Sequence, residues 1–385
     1  MVWFRRRTIP ATLATLALMT AISTVDVLLG DARALAGPVN CGDTITADTT
    51  LDVDLADCPN HGIVIGADDI TLDLNGHTID GDGEAFEACV EDEICDVGVL
   101  NDGHDGVTVT DGSVQEFGFG LLVTEASGNR IVGVVSSSNL LFGIVLDASA
   151  GSIVRDSAGD DNPAPDGDGL ALFESHRIRI IDNSFSRNGL GMHIEDSTNN
   201  VIKGNVFAQN EQPGVLVQAD GNEIRGNRCR RNGMCFLVAG NRNVIARNHA
   251  QGDIFGGIAV EDGHHNVIAH NVVERTRSTG IYLGVREFPA GGARNVVRWN
   301  VVERSDDDAF LVTSEDRHSV VKHNTARDAG DDGFDIQSRS VRLTGNRAFR
   351  NADLGIQAVE GVIDGGGNVA RGNGDPRQCT HIACR

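Results

Sequence analysis

An asparagine returns along this chain at nearly fixed intervals, at Asn183, Asn205, Asn227, Asn248, Asn271, Asn300, Asn324 and Asn346, with most gaps about 22 residues. A second motif keeps step with it: a glycine followed by apolar residues at alternate positions, as in Gly143-Ile-Val-Leu, Gly191-Met-His-Ile, Gly257-Ile-Ala-Val and Gly333-Phe-Asp-Ile. Two markers recurring in phase mean one structural unit repeated along the chain. A unit this short cannot bury its apolar side alone, so neighbouring units must stack.

Within one unit, Gly191 to Pro213, three short stretches carry apolar residues with period two: Met192 and Ile194, then Val201 and Lys203 flanking Ile202, then Val206 and Ala208. Each is too short for a helix and is bounded by Gly, Asn, Asp or Ser, so each is expected to be a strand. Three strands and three turns fill the unit, which is one coil of a parallel β-helix. The repeated asparagine falls between the second and third strands, where the chain turns sharply. Asparagine tolerates the left-handed backbone conformation, bonds to nearby backbone groups, and can stack into a side-chain ladder. Counting glycine-type anchors from Gly62 to Gly355 gives about 12–13 coils, a rod of roughly 60 Å at one rung spacing each. Longer gaps at about 80–97, 160–166 and 285–292 mark insertions, which in a solenoid often shape a binding face.

Residues 1–36 have the pattern of a secretory signal: Arg5, Arg6 and Arg7, an apolar run from about Ala11 to Val25, and the small residues Ala34 and Ala36 as a cleavage site. The mature protein is expected to be secreted or periplasmic and a monomer, without a membrane anchor. The eight cysteines follow the signal as near neighbours, Cys41 with Cys58, Cys89 with Cys95, Cys229 with Cys235 and Cys379 with Cys384. Even count, local pairing and an export signal favour disulfides over a metal site. The first and last pairs sit where a solenoid needs caps, expected over 37–60 and 371–385, around a helical body of 61–370.

The formal charge is −23, and removing the signal makes it more acidic still. Nucleic acid is repelled by such a chain on average. One local departure is Arg225, Arg228, Arg230, Arg231, Arg242 and Arg247, which fall in two consecutive coils with no acid among them. They are either a polyanion-binding stripe or solvated turns.

Strand alternation points the second residue after each anchor outward on the first strand, giving Val145, Ala171, His193, Leu216, Leu237, Ala259, Tyr282, Leu311, Asp335 and Gln357. The fourth residues include Glu195 and Glu261. The middle of this face is apolar, and the 285–292 insertion is the expected cover. Just before the first strand, successive coils carry Asp306, Asp307 and Asp308, then Asp331 and Asp332. Matching positions one coil apart lie about 4.8 Å apart, so these carboxylates should cluster. Crowded carboxylates raise a pKa, which suits a general acid, or recruit a cation, for which oxygen ligands point to calcium at Asp306 and Asp307. The third reading is that aspartate is simply a good turn residue. The histidines near Glu195 and Glu261 show no metal-ligand spacing and are expected to be solvated.

The units GMHIEDSTNNVIKGN, GIAVEDGHHNVIAHN and GFDIQSRSVRLTGN resemble the right-handed parallel β-helix repeats of the pectate-lyase-like superfamily, especially secreted proteins with NosD-like repeats. The resemblance covers about residues 60–370. It implies an all-β, single-stranded right-handed solenoid that acts on extracellular acidic polysaccharide. Ser305-Asp-Asp-Asp308 and Gly330-Asp331-Asp332 look like the paired aspartate motifs of polygalacturonase-type hydrolases, which implies catalytic roles for Asp308, Asp331 and Asp332. The next coil, Asp353-Leu-Gly-Ile-Gln, lacks the histidine of that family, and the Asp-Pro-His motif of alginate epimerases is absent. His193, Glu195, Glu261, Tyr282, Asp335 and Arg275 are the candidate sugar contacts. A noncatalytic surface or scaffold role is the alternative, favoured by the scarcity of aromatic residues for sugar stacking. Copper is not expected, since only Met192 and Met234 remain after the signal.

Overall fold

A computed structural model describes residues 38–84, 96–162, 167–284 and 292–385. Among these there are strands and turns and no helix. The expected insertions fall largely outside the described residues, as do the signal segment and the Cys89–Cys95 pair.

Each coil has three strands, and every strand pairs in parallel with its counterpart one coil on. The first strands form one 14-stranded sheet, running from Asp43–Ile45 to Ile356–Ala358. Middle coils show the repeat at its plainest: Leu190–Glu195, Val201–Lys203 and Val206–Ala208, stacked on Pro213–Gln218, Glu223–Arg225 and Arg228–Arg230. In earlier coils the second and third strands merge into eight-residue strands, Thr108–Gln115 and Arg130–Ser137. The segment expected as an N-terminal cap itself winds as a coil, since its strands pair with Ile63–Ile65, Thr71–Asp73 and Thr78–Gly81.

The core is an internal column. First strands contribute alternate residues such as Met192, Ile194, Val215 and Val217, all buried. The second and third strands differ from the sequence expectation. Their central residues point inward, Ile202 and Phe207 in one coil and Ile224 and Cys229 in the next. Val201, Val206 and Ala208 flank those centres and lie on the outer surface, Val206 being 36% exposed. A three-residue strand held between two turns has one inward seat, and alternation assigns it to the middle residue. Phe185 stacks on Phe207 at 5.5 Å between ring centroids, and Phe310 on Phe334 at 4.6 Å.

The recurring asparagine is not the residue in the left-handed conformation. That seat belongs to the residue before it, Gly204, Gly226, Arg247, His270, Trp299, His323 and Gly345. The asparagine turns inward, buried, and forms a ladder. Asn205 Oδ1 accepts from the backbone N–H and side-chain Nδ2 of Asn183, at 2.9 and 3.0 Å, while its own Nδ2 donates to Ile180 O and Asn227 Oδ1. Two further ladders run along the other turns: Asn139, Asn162, Asn188, Asn210 and Asn232, and Asn200, Asn222, Asn243, Asn266 and Asn295. Disulfides join Cys41 to Cys58 and Cys379 to Cys384 near the ends, and Cys229 to Cys235 inside the core.

Candidate functional site

The turn from each third strand into the next first strand ends two residues before the glycine anchor. In three consecutive coils those two residues are Asp307-Asp308, Asp331-Asp332 and Asp353-Leu354. Stacking therefore makes two columns. The inner column is buried: Asp308 Oδ1 accepts the backbone N–H of Asp332 at 3.1 Å, and Asp332 Oδ1 accepts that of Leu354 at 2.8 Å. The outer column, Asp307, Asp331 and Asp353, runs from half-buried to exposed. Asp335, three residues after Asp332 at the centre of the first strand Phe334–Ile336, is also buried and accepts from Gln337 Nε2 at 2.6 Å. One oxygen from each of Asp307, Asp308 and Asp331 lies within 4.8 Å of the others, and the same holds for Asp331, Asp332 and Asp353. Asp306 is exposed and belongs to neither group.

Crowding and burial set the protonation. Burial, with the charges of Asp335 and Asp307 next in size, pushes Asp308 up to about 8. Burial also pushes Asp332 up to about 7, opposed by the Leu354 N–H and aided by Asp331 and Asp353. Asp331 is raised by burial and by Asp353, Asp307 and Asp335. The result is a protonated carboxyl beside ionisable ones, with its own backbone cap holding it in place. The capping and the clustering, which the sequence posed as rivals, occur in the same residues.

The other candidate residues do not join this cluster. His193 and Glu195 lie several coils away on the outer face of the first-strand sheet. There His193 Nε2 is 3.0 Å from Gln218 Oε1 and 3.7 Å from Glu195, and Nδ1 is 3.7 Å from the buried Asp168. Its ring meets Phe173 edge-on at 5.5 Å, and Phe173, Phe142 and Phe119 continue as an aromatic row toward the N-terminal coils. Tyr282 is buried, paired in register with Leu311 and Ala259, and Glu261 follows the preceding first strand. Arg275 stands at the outer corner of the third strand, beside Arg230 and Arg231. The proposed sugar contacts are thus spread over separate places.

The outer face is buried in two places: Val97, Leu100, Leu122, Val145 and Ala171 form a buried group with Phe119, Phe142 and Phe173 packed on it, and Ala259 and Tyr282, in the middle of the apolar row that the sequence marked, are buried too, while Leu216, Leu237 and Leu311 are half-exposed. The expected covering residues 285–291 lie outside the described ones. The six arginines of the basic segment are divided between strands and turns: Arg225 pairs with Glu223 at 2.9 Å on the second strand, Arg228 and Arg230 are on the third, and Arg231, Arg242 and Arg247 are in turns. Asp353 was missed as a cluster member, although alignment on the glycine anchors places it in the column of Asp307 and Asp331. Gln218 and Asp168 meet His193 diagonally, since the register sets Gln218 beside Glu195 and Asp168 beside Leu190, so spacing alone does not name them as its partners.

Comparison with known proteins follows this geometry. The family model of NosD, described as a periplasmic copper-binding protein, matches residues 75–250 and 220–365. No curated protein matches the sequence. Among solved structures, DFA-IIIase from Arthrobacter chlorophenolicus A6 in complex with GF2 aligns at 13% identity over 63% of this chain and 67% of its own, with a TM-score of 0.50. The catalytic domain of a GH87 alpha-1,3-glucanase in complex with tetrasaccharides aligns at 14% identity over 80% of this chain and 63% of its own, with a TM-score of 0.51. At such identities the likeness is one of fold.

Proposed function

We propose, from the premise that this chain belongs to the NosD family of repeat proteins, that it is an exported glycan-processing protein whose working site is the aspartate cluster. The observation that carries the reading is Asp308, a buried carboxyl pushed up to about 8, with oxygens of Asp307 and Asp331 within 4.8 Å of one of its own. Cleavage of a glycosidic bond needs a proton donor and an ionised carboxylate on one substrate. Asp308 is the donor to the leaving oxygen, and Asp331, at the exposed rim, is the ionised partner. Their closeness is nearer the spacing of a direct nucleophile than the wider gap that admits a water between the two groups. Asp332 serves as the buried neighbour whose proton or charge tunes the pair. Disulfide bonding of the chain and the periplasmic description of the family support export.

Turnover of a glycan panel, scored by new reducing ends, tests this reading. Asp308→Asn and Asp331→Asn should each lower the rate by about a hundredfold or more, while leaving the fold intact. Unchanged rates in both variants would remove the cluster from the chemistry. A second reading rests on the same oxygens: the Asp307, Asp308 and Asp331 group could hold a calcium ion, which would then bridge to an acidic sugar. A thermal shift with calcium that both substitutions abolish, without any turnover, would favour it.

The copper of the family description does not fit the residues present. Both groups of three or more ligating side chains among the described residues are made of aspartate alone, and the described cysteines are all disulfide-bonded. Met192 points into the core, fully buried. Copper favours imidazole and sulfur donors, so no step is assigned to it.

A further inference from the structure

We infer that the arginine-lined cleft at the outer corner of the third strands is a binding site for the carboxylate or sulfate groups of an anionic glycan chain. The cleft has a volume of about 620 Å³ and includes Gln209, Arg230, Arg231, Gln251, Gly252 and Arg275 in its walls. The backbone explains why a cleft exists there. Gln209, Arg231, Gly252 and Arg275 occupy the same left-handed corner in four successive coils, with each N–H bonded one coil on, to Arg230 O, Gln251 O, Glu274 O and Glu303 O. Three of the four carry long side chains. Gly252 carries none, so one rung of the corner is open between two guanidinium groups that start two rungs apart, roughly 9.5 Å.

Charge pairing sets these arginines apart from the others in the same corner. Arg187 binds Asp161 through two nitrogens, Arg350 binds Asp328 at 2.8 Å through two, and Arg304 lies 3.8 Å from Glu303. Arg230, Arg231 and Arg275 have no carboxylate within 4 Å among the described residues, and the nearby Glu274 faces His249 at 3.9 Å. In a chain of net charge −23, three exposed guanidinium groups around a gap, without acidic partners, form a local reversal of sign. Guanidinium forks match planar or trigonal oxyanions, and the amides of Gln209 and Gln251 supply donors and acceptors suited to hydroxyls. No aromatic side chain lines the cleft, so it offers no surface on which nucleic-acid bases would stack. The net negative charge also opposes the dense phosphates of a nucleic acid at long range. The site uses none of the aspartates of the proposed catalytic cluster, and its test requires no turnover.

Calorimetric titration of the full mature chain at low salt decides it, with oligogalacturonate, dextran sulfate, unmodified dextran and single-stranded DNA as probes. One anionic glycan should bind and dextran should not, and the preferred glycan tells carboxylate from sulfate. Arg231→Ala with Arg275→Ala should weaken that binding about tenfold or more. Gly252→Gln, which fills the gap without changing charge, should do the same, while Arg187→Ala should leave the affinity unchanged. The left-handed corner accepts Gln209, so Gly252→Gln is compatible with folding. Binding that survives Gly252→Gln, equal binding of dextran, tighter binding of DNA, or no binding of either anionic glycan would overturn the inference.

Discussion

Asn205 uses every hydrogen-bonding position of its amide, with two bonds accepted and two donated, all to residues of the neighbouring coils in the solenoid interior. Removing that side chain leaves the backbone N–H and Nδ2 of Asn183 without their acceptor, and Ile180 O and Asn227 Oδ1 without their donor. Asn205→Ala should cost roughly 3–5 kcal/mol in urea unfolding, near the top of the range for one substitution. Asp253 shows the complementary case. It occupies an asparagine rung of another ladder, where its Oδ1 accepts from Asn232 N at 2.8 Å and from Asn232 Nδ2 at 3.2 Å, but its Oδ2 is buried with no partner. Burial pushes this carboxyl up to about 7. A folded value above the unfolded one favours folding at acid pH and loses that contribution as pH rises from about 4 through about 7. Asp253→Asn should therefore raise Tm, and by more at pH 8 than at pH 4.5; an equal gain at both would contradict the assigned protonation.

At the scale of the coil, glycine anchors and ladders are one device. A Cβ placed on Gly143 would lie 2.6 Å from Gly169 O and 2.9 Å from Asn162 Nδ2, and one on Gly169 would lie 2.6 Å from Gly191 O and 2.7 Å from Asn188 Nδ2. The anchor is glycine because the neighbouring rung and the ladder amide occupy the space a side chain would need. Gly169→Ala should destabilise by about 1–3 kcal/mol through overpacking against backbone that cannot yield. Cys235 takes the anchor seat in its own coil and is bonded to Cys229, the inward residue of the preceding third strand. Replacing both cysteines with alanine should cost about 2 kcal/mol for so short a closed loop, with hydrogen-exchange protection lost first in the coils around residues 229–238.

For the whole molecule, two sets of carboxyls act in opposite directions on stability. Asp253, Asp308 and Asp332 are raised to about 7, 8 and 7, so each supports the fold at low pH and loses that support as pH climbs from about 4 to 8. Asp161 and Asp328, held low first by hydrogen bonds from Arg187 and Arg350, contribute above their unfolded value and lose that contribution below it, although exposure to solvent weakens both. Stability should peak on the acid side of neutral and decline toward pH 8.5, where added salt should recover part of it by screening the net charge of −23. A Tm series across pH at two salt concentrations checks this; a maximum at alkaline pH would contradict it.

The repeat period was enough to settle the architecture, because a 22-residue unit with alternating strands and a recurrent turn amide has one way to bury its apolar side, by stacking on its own copies. For the same reason the meeting of Asp307, Asp308, Asp331 and Asp332 was legible from spacing: equal steps along the chain become vertical neighbours. Sequence could not decide which residues of a three-residue strand face in, which residue of a turn takes the left-handed seat, or which arginines already have carboxylate partners. Those depend on where each side chain points once the coils are closed. The gap at Gly252 and the burial of Asp308 exist only there, since one is an absence between two side chains and the other a loss of water, and neither is a property of any single position in the chain.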